Sequence, residues 1–191
     1  MIHVGIDYSM TSPAVCIHEG DVFAWNNCRV YYLTKTRKFE GVFGNIIGHP
    51  YPDFAFPEQR FNNISEWVME LLTIAGGPTI GLNADMTVTI EGYSMGSKGQ
   101  VFHIAENTGL LKHKLWNNRI PFDTPAPTSI KKFATGKGNS PKERMHECFV
   151  AETGVDPASI LDCKPNNNPC SDVVDAYFMC KYSFKILQNN P

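Results

Sequence analysis

The chain has 191 residues and a mass of 21.4 kDa; 42% of the residues are apolar, 19% are charged, and the net charge is −2. That length can bury a real core, and that composition excludes a disordered tail, a coiled coil or a collagen-like chain. The near-neutral balance does not in itself mark a nucleic-acid binder, and no apolar run reaches the length of a membrane span.

Ile2-His3-Val4-Gly5-Ile6-Asp7-Tyr8-Ser9 alternates as a strand, with Asp7 near its end. Ser12-Pro13 marks a turn, Ala14-Val15-Cys16-Ile17-His18 a second strand, Glu19-Gly20-Asp21 a hairpin turn, and 28–34 a third strand. Short turns between three strands predict an antiparallel meander. The segment 35–60 is different. Lys35, Arg37 and Lys38 precede Phe39, Phe43, Tyr51, Phe54 and Phe56, interleaved with Gly41, Gly44, Gly48, Pro50, Pro52 and Pro57. It reads as a long loop or irregular hairpin, an aromatic and basic insert that either stacks on unpaired bases or folds back on its own rings.

Helical spacing of Ile64, Trp67, Val68, Leu71, Leu72 and Ala75 predicts a helix from Asn63 that ends at Gly76-Gly77-Pro78. Residues 86–91 alternate as a strand ending on Glu91, and 92–99 is a loop. A helix is predicted over 101–116, either core or a subunit interface, then a short strand over 120–125 and a helical turn over 128–133. A tight loop, Thr135-Gly136-Lys137-Gly138-Asn139, leads to a helix over 141–153, a loop over 156–168 and a last helix over 171–187. The order predicts one α/β domain, residues 1–191, with a mixed five-stranded sheet and helices on both faces.

His3 and Asp7 interrupt the only early apolar run and no basic leader precedes it, so a signal peptide is not expected and the chain is expected to stay in a reducing cytoplasm. Cys16, Cys28, Cys148, Cys163, Cys170 and Cys180 form no CxxC pair and are expected as free thiols. A zinc set drawn from His146, Cys148, Cys163 and Cys170 fits no defensible spacing, and residues 135–139 lack the GxxxxGK(S/T) spacing of a P-loop.

Four acidic residues stand at the ends of elements. Asp7 and Glu91 close strands, and Asp172 and Asp175, three apart on the last helix, share a face beside the stripe Val173, Ala176, Tyr177, Cys180, Phe184 and Leu187. If that helix packs beside the first strand, the four carboxylates converge. Such a group is tolerated when cations neutralise it, and hard oxygen donors select Mg²⁺ or Mn²⁺. Two such ions are the machinery of phosphodiester cleavage. The plainer alternatives are a helix cap for Asp172 and a turn former for Asp7.

These residues resemble a known family. Residues 2–17 with Asp7 look like the opening of an RNase H-like nuclease, and Thr89-Ile90-Glu91-Gly92-Tyr93 like that fold's second acidic strand. Ser171-Asp172-Val173-Val174-Asp175-Ala176 resembles the D-x-x-D-A helix of RuvC-type Holliday junction resolvases. The run from Pro127 to Lys142 is similar to the family's P-x-x-I/V-K-x-x-x-T-G-x-G-x-x-x-K segment. The resemblance covers nearly the whole chain and is closest to phage RuvC-like enzymes, which implies a bacterial or phage-infected cytoplasm; the 35–60 insert is longer and more aromatic than in the bacterial enzyme. It implies that Asp7, Glu91, Asp172 and Asp175 bind two Mg²⁺, with Mn²⁺ as a substitute. A homodimer would cut opposed strands of a four-way DNA junction, leaving 5′-phosphates, and Tyr93 would stack at the opened junction centre.

Charge asymmetry agrees. Residues 112–144 carry Lys112, Lys114, Arg119, Lys131, Lys132, Lys137, Lys142 and Arg144 against Asp123 and Glu143, a balance of +6 beside −8 for the remainder. Such a half is either a solvated basic face or a surface that holds a polyanion. Tyr93, Lys98, Lys131, Lys132, Lys137, Lys142 and Arg144 are the expected nucleic-acid contacts. A nuclease acting on RNA–DNA hybrids or flaps, or a branched-DNA-binding module that does not cut, are the alternative readings.

Overall fold

The computed structural model describes residues 1–77, 85–92 and 101–189. Its strands are β1 (Ile2–Asp7), β2 (Ala14–Glu19), β3 (Cys28–Thr34), β4 (Gly41–Phe43), β5 (Ile46–Pro50), β6 (Met86–Ile90) and β7 (Phe122–Asp123). Its helices are α1 (Pro57–Gly76), α2 (Val101–Asn117), α3 (Pro127–Thr135), α4 (Lys142–Thr153), α5 (Pro157–Leu161) and α6 (Cys170–Asn189). The strands form one mixed sheet in the order β4-β5-β3-β2-β1-β6-β7. β1, β2 and β3 are the predicted antiparallel meander, and β6 and β7 extend it in parallel from β1.

Helices cover both faces, as predicted. Val4, Ile6, Val15, Val88 and Ile90 meet Ile64, Trp67, Leu71 and Leu72 of α1 and Leu111 and Leu115 of α2 on one face. Cys16, Val30, Tyr32 and Ile46 meet Val173, Ala176, Tyr177 and Cys180 of α6 on the other, with Ile130, Met145 and Phe149 of α3 and α4. α6 is buried nearly all round over its first three turns, so it is the central helix of that layer.

The sheet has seven strands rather than five, and both additions come from the 35–60 insert. β4 and β5 form a hairpin across Gly44, whose φ of +67° a side-chain-bearing residue rarely adopts. β5 then pairs in parallel with β3, Thr34 against Pro50. Gly48 is required there, because a Cβ would fall 1.9 Å from the Phe39 carbonyl oxygen that accepts the Tyr32 hydroxyl at 2.6 Å. The first helix starts at Pro57, six residues before the expected Asn63; proline's fixed φ suits the first helical turn. The expected loop over 156–168 contains α5, whose start the Asp156 carboxylate caps by accepting the Ala158 N–H at 2.9 Å. The six cysteines are free, four of them buried. Among the described residues no helix is long and apolar enough to cross a membrane.

Candidate active site

Strand parity places the first two carboxylates. On β1, Val4 and Ile6 point to the α1 layer, so His3, Gly5 and Asp7 face α6. On β6, Val88 and Ile90 point the same way as Val4 and Ile6, which leaves Thr87, Thr89 and then Glu91 toward α6. The Thr87 and Ser183 hydroxyls confirm that side by meeting at 2.9 Å. β1 and β6 run parallel with Ile6 opposite Ile90, and the Glu91 N–H donates to the Ile6 carbonyl at 3.2 Å. Asp7 and Glu91 therefore emerge side by side at one edge of the sheet.

Gly5 brings the helix in. A Cβ there would lie 2.1 Å from the Cys180 backbone nitrogen and 2.4 Å from the Ala176 carbonyl oxygen, so α6 rests backbone on backbone against β1. That contact carries the first two turns of α6, with Asp172 and Asp175, over the ends of the strands. The turn between β1 and β2 closes from the other side. The Ser12 hydroxyl donates to Asp172 Oδ2 at 2.5 Å, and the Ser171 hydroxyl lies 3.4 Å from Oδ1. Lys142 Nζ in turn donates to Ser171 Oγ at 3.0 Å. Ser12 and Ser171 were not singled out from the sequence. The D-x-x-D-A run could have pointed to Ser171, which precedes it directly; nothing local points to Ser12.

All four carboxylates are pushed upward. Asp172 is only 3% exposed and Asp7 8%. Burial raises Asp7 well above the usual carboxylate range, and repulsion from Asp172, Glu91 and Asp175 raises it further. Burial takes Glu91 and Asp172 to about 7, and Asp175 to about 6. Lys142 acts against the rise at all four, and Lys131 at Glu91 and Asp175. Two ammonium groups thus face four carboxylates, and the site remains short of positive charge.

The donor set is all oxygen and anionic, which fits a hard divalent cation such as Mg²⁺ or Mn²⁺ and not zinc. Among the described residues no three acidic, histidine or cysteine side chains are gathered tightly enough to hold an ion as they stand. Asp123 accepts the Thr89 hydroxyl at 2.6 Å. His146 of the discarded zinc set pairs with Asp156 at 2.9 Å.

The expected nucleic-acid contacts divide. Lys131 and Lys142 belong to the carboxylate site. Lys132 and Lys137 are exposed nearby on α3 and its closing loop, where Thr135 Oγ1 ties the Lys137 N–H at 3.2 Å and the Ser140 hydroxyl at 2.6 Å. Arg144 is engaged by Glu147 at 2.7 Å. Tyr93 and Lys98 lie outside the described residues. On α2, Leu111 and Leu115 are core, as one of the two expectations had it, while Phe102 is 84% and Trp116 71% exposed.

No protein-family model matches the chain, and no curated protein matches it in sequence. Solved structures do match. Thermus thermophilus RuvC superposes with a TM-score of 0.63 at 13% identity over 99% of this chain and 97% of that one. T. thermophilus RuvC in complex with a Holliday junction substrate gives 0.62 at 15% identity, over 99% and 96%. Fowlpox virus resolvase, bound to its substrate Holliday junction DNA, gives 0.55 at 16% identity, over 98% and 99%. The mixed sheet of this chain, layered with helices on both faces, is the RNase H-like fold of RuvC, carried by a sequence only 13–15% identical to it.

Proposed function

We propose that the protein is a structure-selective endonuclease that hydrolyses phosphodiesters of four-way or other branched DNA. Asp7, Glu91, Asp172 and Asp175 are the proposed ligands of two Mg²⁺ ions, with Mn²⁺ able to substitute. The single observation that carries this reading is the buried, electron-rich edge at which β1, β6 and α6 bring four carboxylates together under two lysines. Burying four like-charged groups is costly for stability alone and is rewarded by binding cations and, over them, a phosphate. The fold shared with two Holliday junction resolvases supports the choice of branched DNA.

Bound there, divalent ions supply Lewis acidity at the attacking water and at the leaving oxygen of phosphodiester hydrolysis. The chain's own residues do the rest. Ser12 and Ser171 fix the Asp172 carboxylate, so its free lone pairs keep one direction. Lys142, steadied by Ser171, and Lys131 face the same space and hold the non-bridging oxygens of the bound phosphate. Lys132 and Lys137 extend the positive edge along the DNA backbone, where each contact neutralised adds affinity and salt dependence. The products are a 5′-phosphate and a 3′-hydroxyl. Two copies of the chain, each presenting one site, would nick opposed strands, with the exposed Phe102 and Trp116 of α2 available to the contact between them.

Incubation with a four-way junction, a matched linear duplex and an RNA–DNA hybrid, with Mg²⁺ and with chelator, tests the reading. Paired, Mg²⁺-dependent nicks near the junction centre are expected. Cleavage of the hybrid would replace the substrate, and junction binding with no products in Mg²⁺ or Mn²⁺ would make the protein a non-cleaving binding module. Sedimentation showing only monomer, with and without junction, would remove the dimer.

A further inference from the structure

The insert places a second set of groups along the carboxylate edge. The β-ladder puts Asp7 opposite Ala14, Ala14 opposite Tyr32, and Tyr32 opposite Gly48. β3 and β5 thus end at the same edge as β1, and Lys35 and Tyr51 follow directly. Two strand spacings within the sheet separate β3 from β1, roughly 10 Å, which a few nucleotides of a single strand span.

A cavity of about 370 Å³ opens there, lined by Thr34, Lys35, Glu40, Tyr51, Asp53 and Phe54, a size typical of small-molecule sites. Its wall is held in place. The Tyr51 N–H donates to the Thr34 carbonyl at 2.7 Å, and its hydroxyl to the Met10 carbonyl at 2.5 Å. Arg60 donates to the Tyr51 hydroxyl at 2.9 Å and to the Met10 carbonyl at 2.6 Å, and Asn63 Nδ2 holds the Asp53 carbonyl at 3.0 Å. Met10 lies in the turn between Asp7 and Ser12, so this wall and the carboxylates share a support. Lys35 Nζ stands 5.0 Å from the Tyr51 ring centre and 5.1 Å from that of Phe54, and the Arg60 guanidinium 4.9 Å from Phe54. Aromatic faces, a cation on an exposed stem and two carboxylate acceptors in one rigid recess are the elements of base recognition in unpaired DNA.

We infer that this recess is a nucleobase subsite. An unpaired base, a few nucleotides from the cut, stacks on the half-buried Phe54 ring, which the buried Tyr51 ring backs edge-on at 6.2 Å, and Lys35 leaves the rings to meet the flanking phosphate. Glu40 and Asp53 accept from an exocyclic amino group, so cytosine is preferred to thymine at that position. The carboxylates face α6 and the recess opens on the α1 side, so the bound strand crosses the sheet edge over the Met10 turn. The inference rests on the branched-DNA reading above.

The test maps the cut on a four-way junction with Mg²⁺, then moves 2-aminopurine through the flanking positions and follows its fluorescence on binding in chelator. Quenching is expected at one position a few nucleotides from the cut, abolished in Phe54→Ala, with junction affinity falling roughly tenfold. Because Phe54 also packs on the core, the exposed Lys35→Ala and Glu40→Gln provide a second reading. Lys35→Ala should lower affinity and flatten its salt dependence, and Glu40→Gln should erase a roughly tenfold cytosine-over-thymine preference. A wild type that neither binds nor cuts junctions overturns the functional reading itself. Junction binding and cleavage with no position sensitive to Phe54, Lys35 or Glu40 overturns the subsite alone.

Discussion

The two ends of β1 bury ionisable groups against the same helix with opposite results. At one end Asp7 joins Glu91, Asp172 and Asp175, and burial drives all four toward the protonated state while the other three also repel Asp7. At the other, His3 and His18 pack on Phe184, at ring distances of 4.9 and 5.3 Å, and His18 on Phe23 at 4.6 Å. Burial lowers His3 to about 4 and also lowers His18, so both stay neutral and stack as ordinary aromatic rings. One physical cause, loss of water, leaves the histidines neutral, with His18 Nδ1 buried and unpartnered among the described residues, and leaves the carboxylates short of positive charge. Four acidic groups left short of positive charge after folding are the pattern on which the proposed cation site rests.

The largest expected effect lies at the conflicted end. Asp7→Asn should reduce junction cleavage about a thousandfold or more while leaving junction binding intact, measured by single-turnover cleavage and by anisotropy. The same substitution should raise the melting midpoint of the cation-free protein at pH 8, because it removes a carboxyl whose ionisation, free in the unfolded chain, the buried site opposes. A variant that cuts at full rate in matched Mg²⁺ would remove Asp7 from the site.

pH should separate the two ends. The carboxylates bind protons more tightly folded than unfolded, so their contribution favours the fold below about pH 4 and is lost as pH rises through about 6 to 7. His3 runs the other way: its contribution is complete above 6.5 and is lost as pH falls toward about 4. In chelator, Asp7→Asn should therefore gain more over wild type at pH 8 than at pH 5. Mg²⁺ should raise the wild-type midpoint at pH 8 and hardly at pH 5. An equal Mg²⁺ shift at both pH values would mean that the ion binds elsewhere.

Lys142→Ala should come next, with cleavage reduced roughly a hundredfold and the rising limb of the pH–rate profile moved to higher pH, since Lys142 holds down all four carboxylates. Ser12→Ala should cost about tenfold in rate, one buried hydrogen bond to a charged group. The smallest effect belongs to Arg144→Ala. Arg144 is exposed and paired on its own helix, so the melting midpoint should barely move and junction affinity should change by only a few-fold.

Much of this contrast was legible in the residues. The alternation of β1 and β6 and the stripe of α6 depend on near neighbours, and strand parity then aims Asp7 and Glu91 at whichever helix covers that face. The order of elements and the four carboxylates follow from such local patterns. The insert was not legible in the same way. β5 pairs with β3 in parallel, a match between segments that local periodicity does not express, and its glycines and prolines mask the alternation. Ser12 meets Asp172 across 160 residues of chain for the same reason.

That span has a consequence for how the protein comes into being. Half of the carboxylate site is present once β1 and β6 have paired; the other half arrives with α6, the central helix of the layer that covers one face of the sheet. During synthesis the sheet waits with an open apolar face and an incomplete acidic edge. Docking of α6 on Gly5 closes both at once, so the chain has no complete site to turn on nucleic acid until it can also fold.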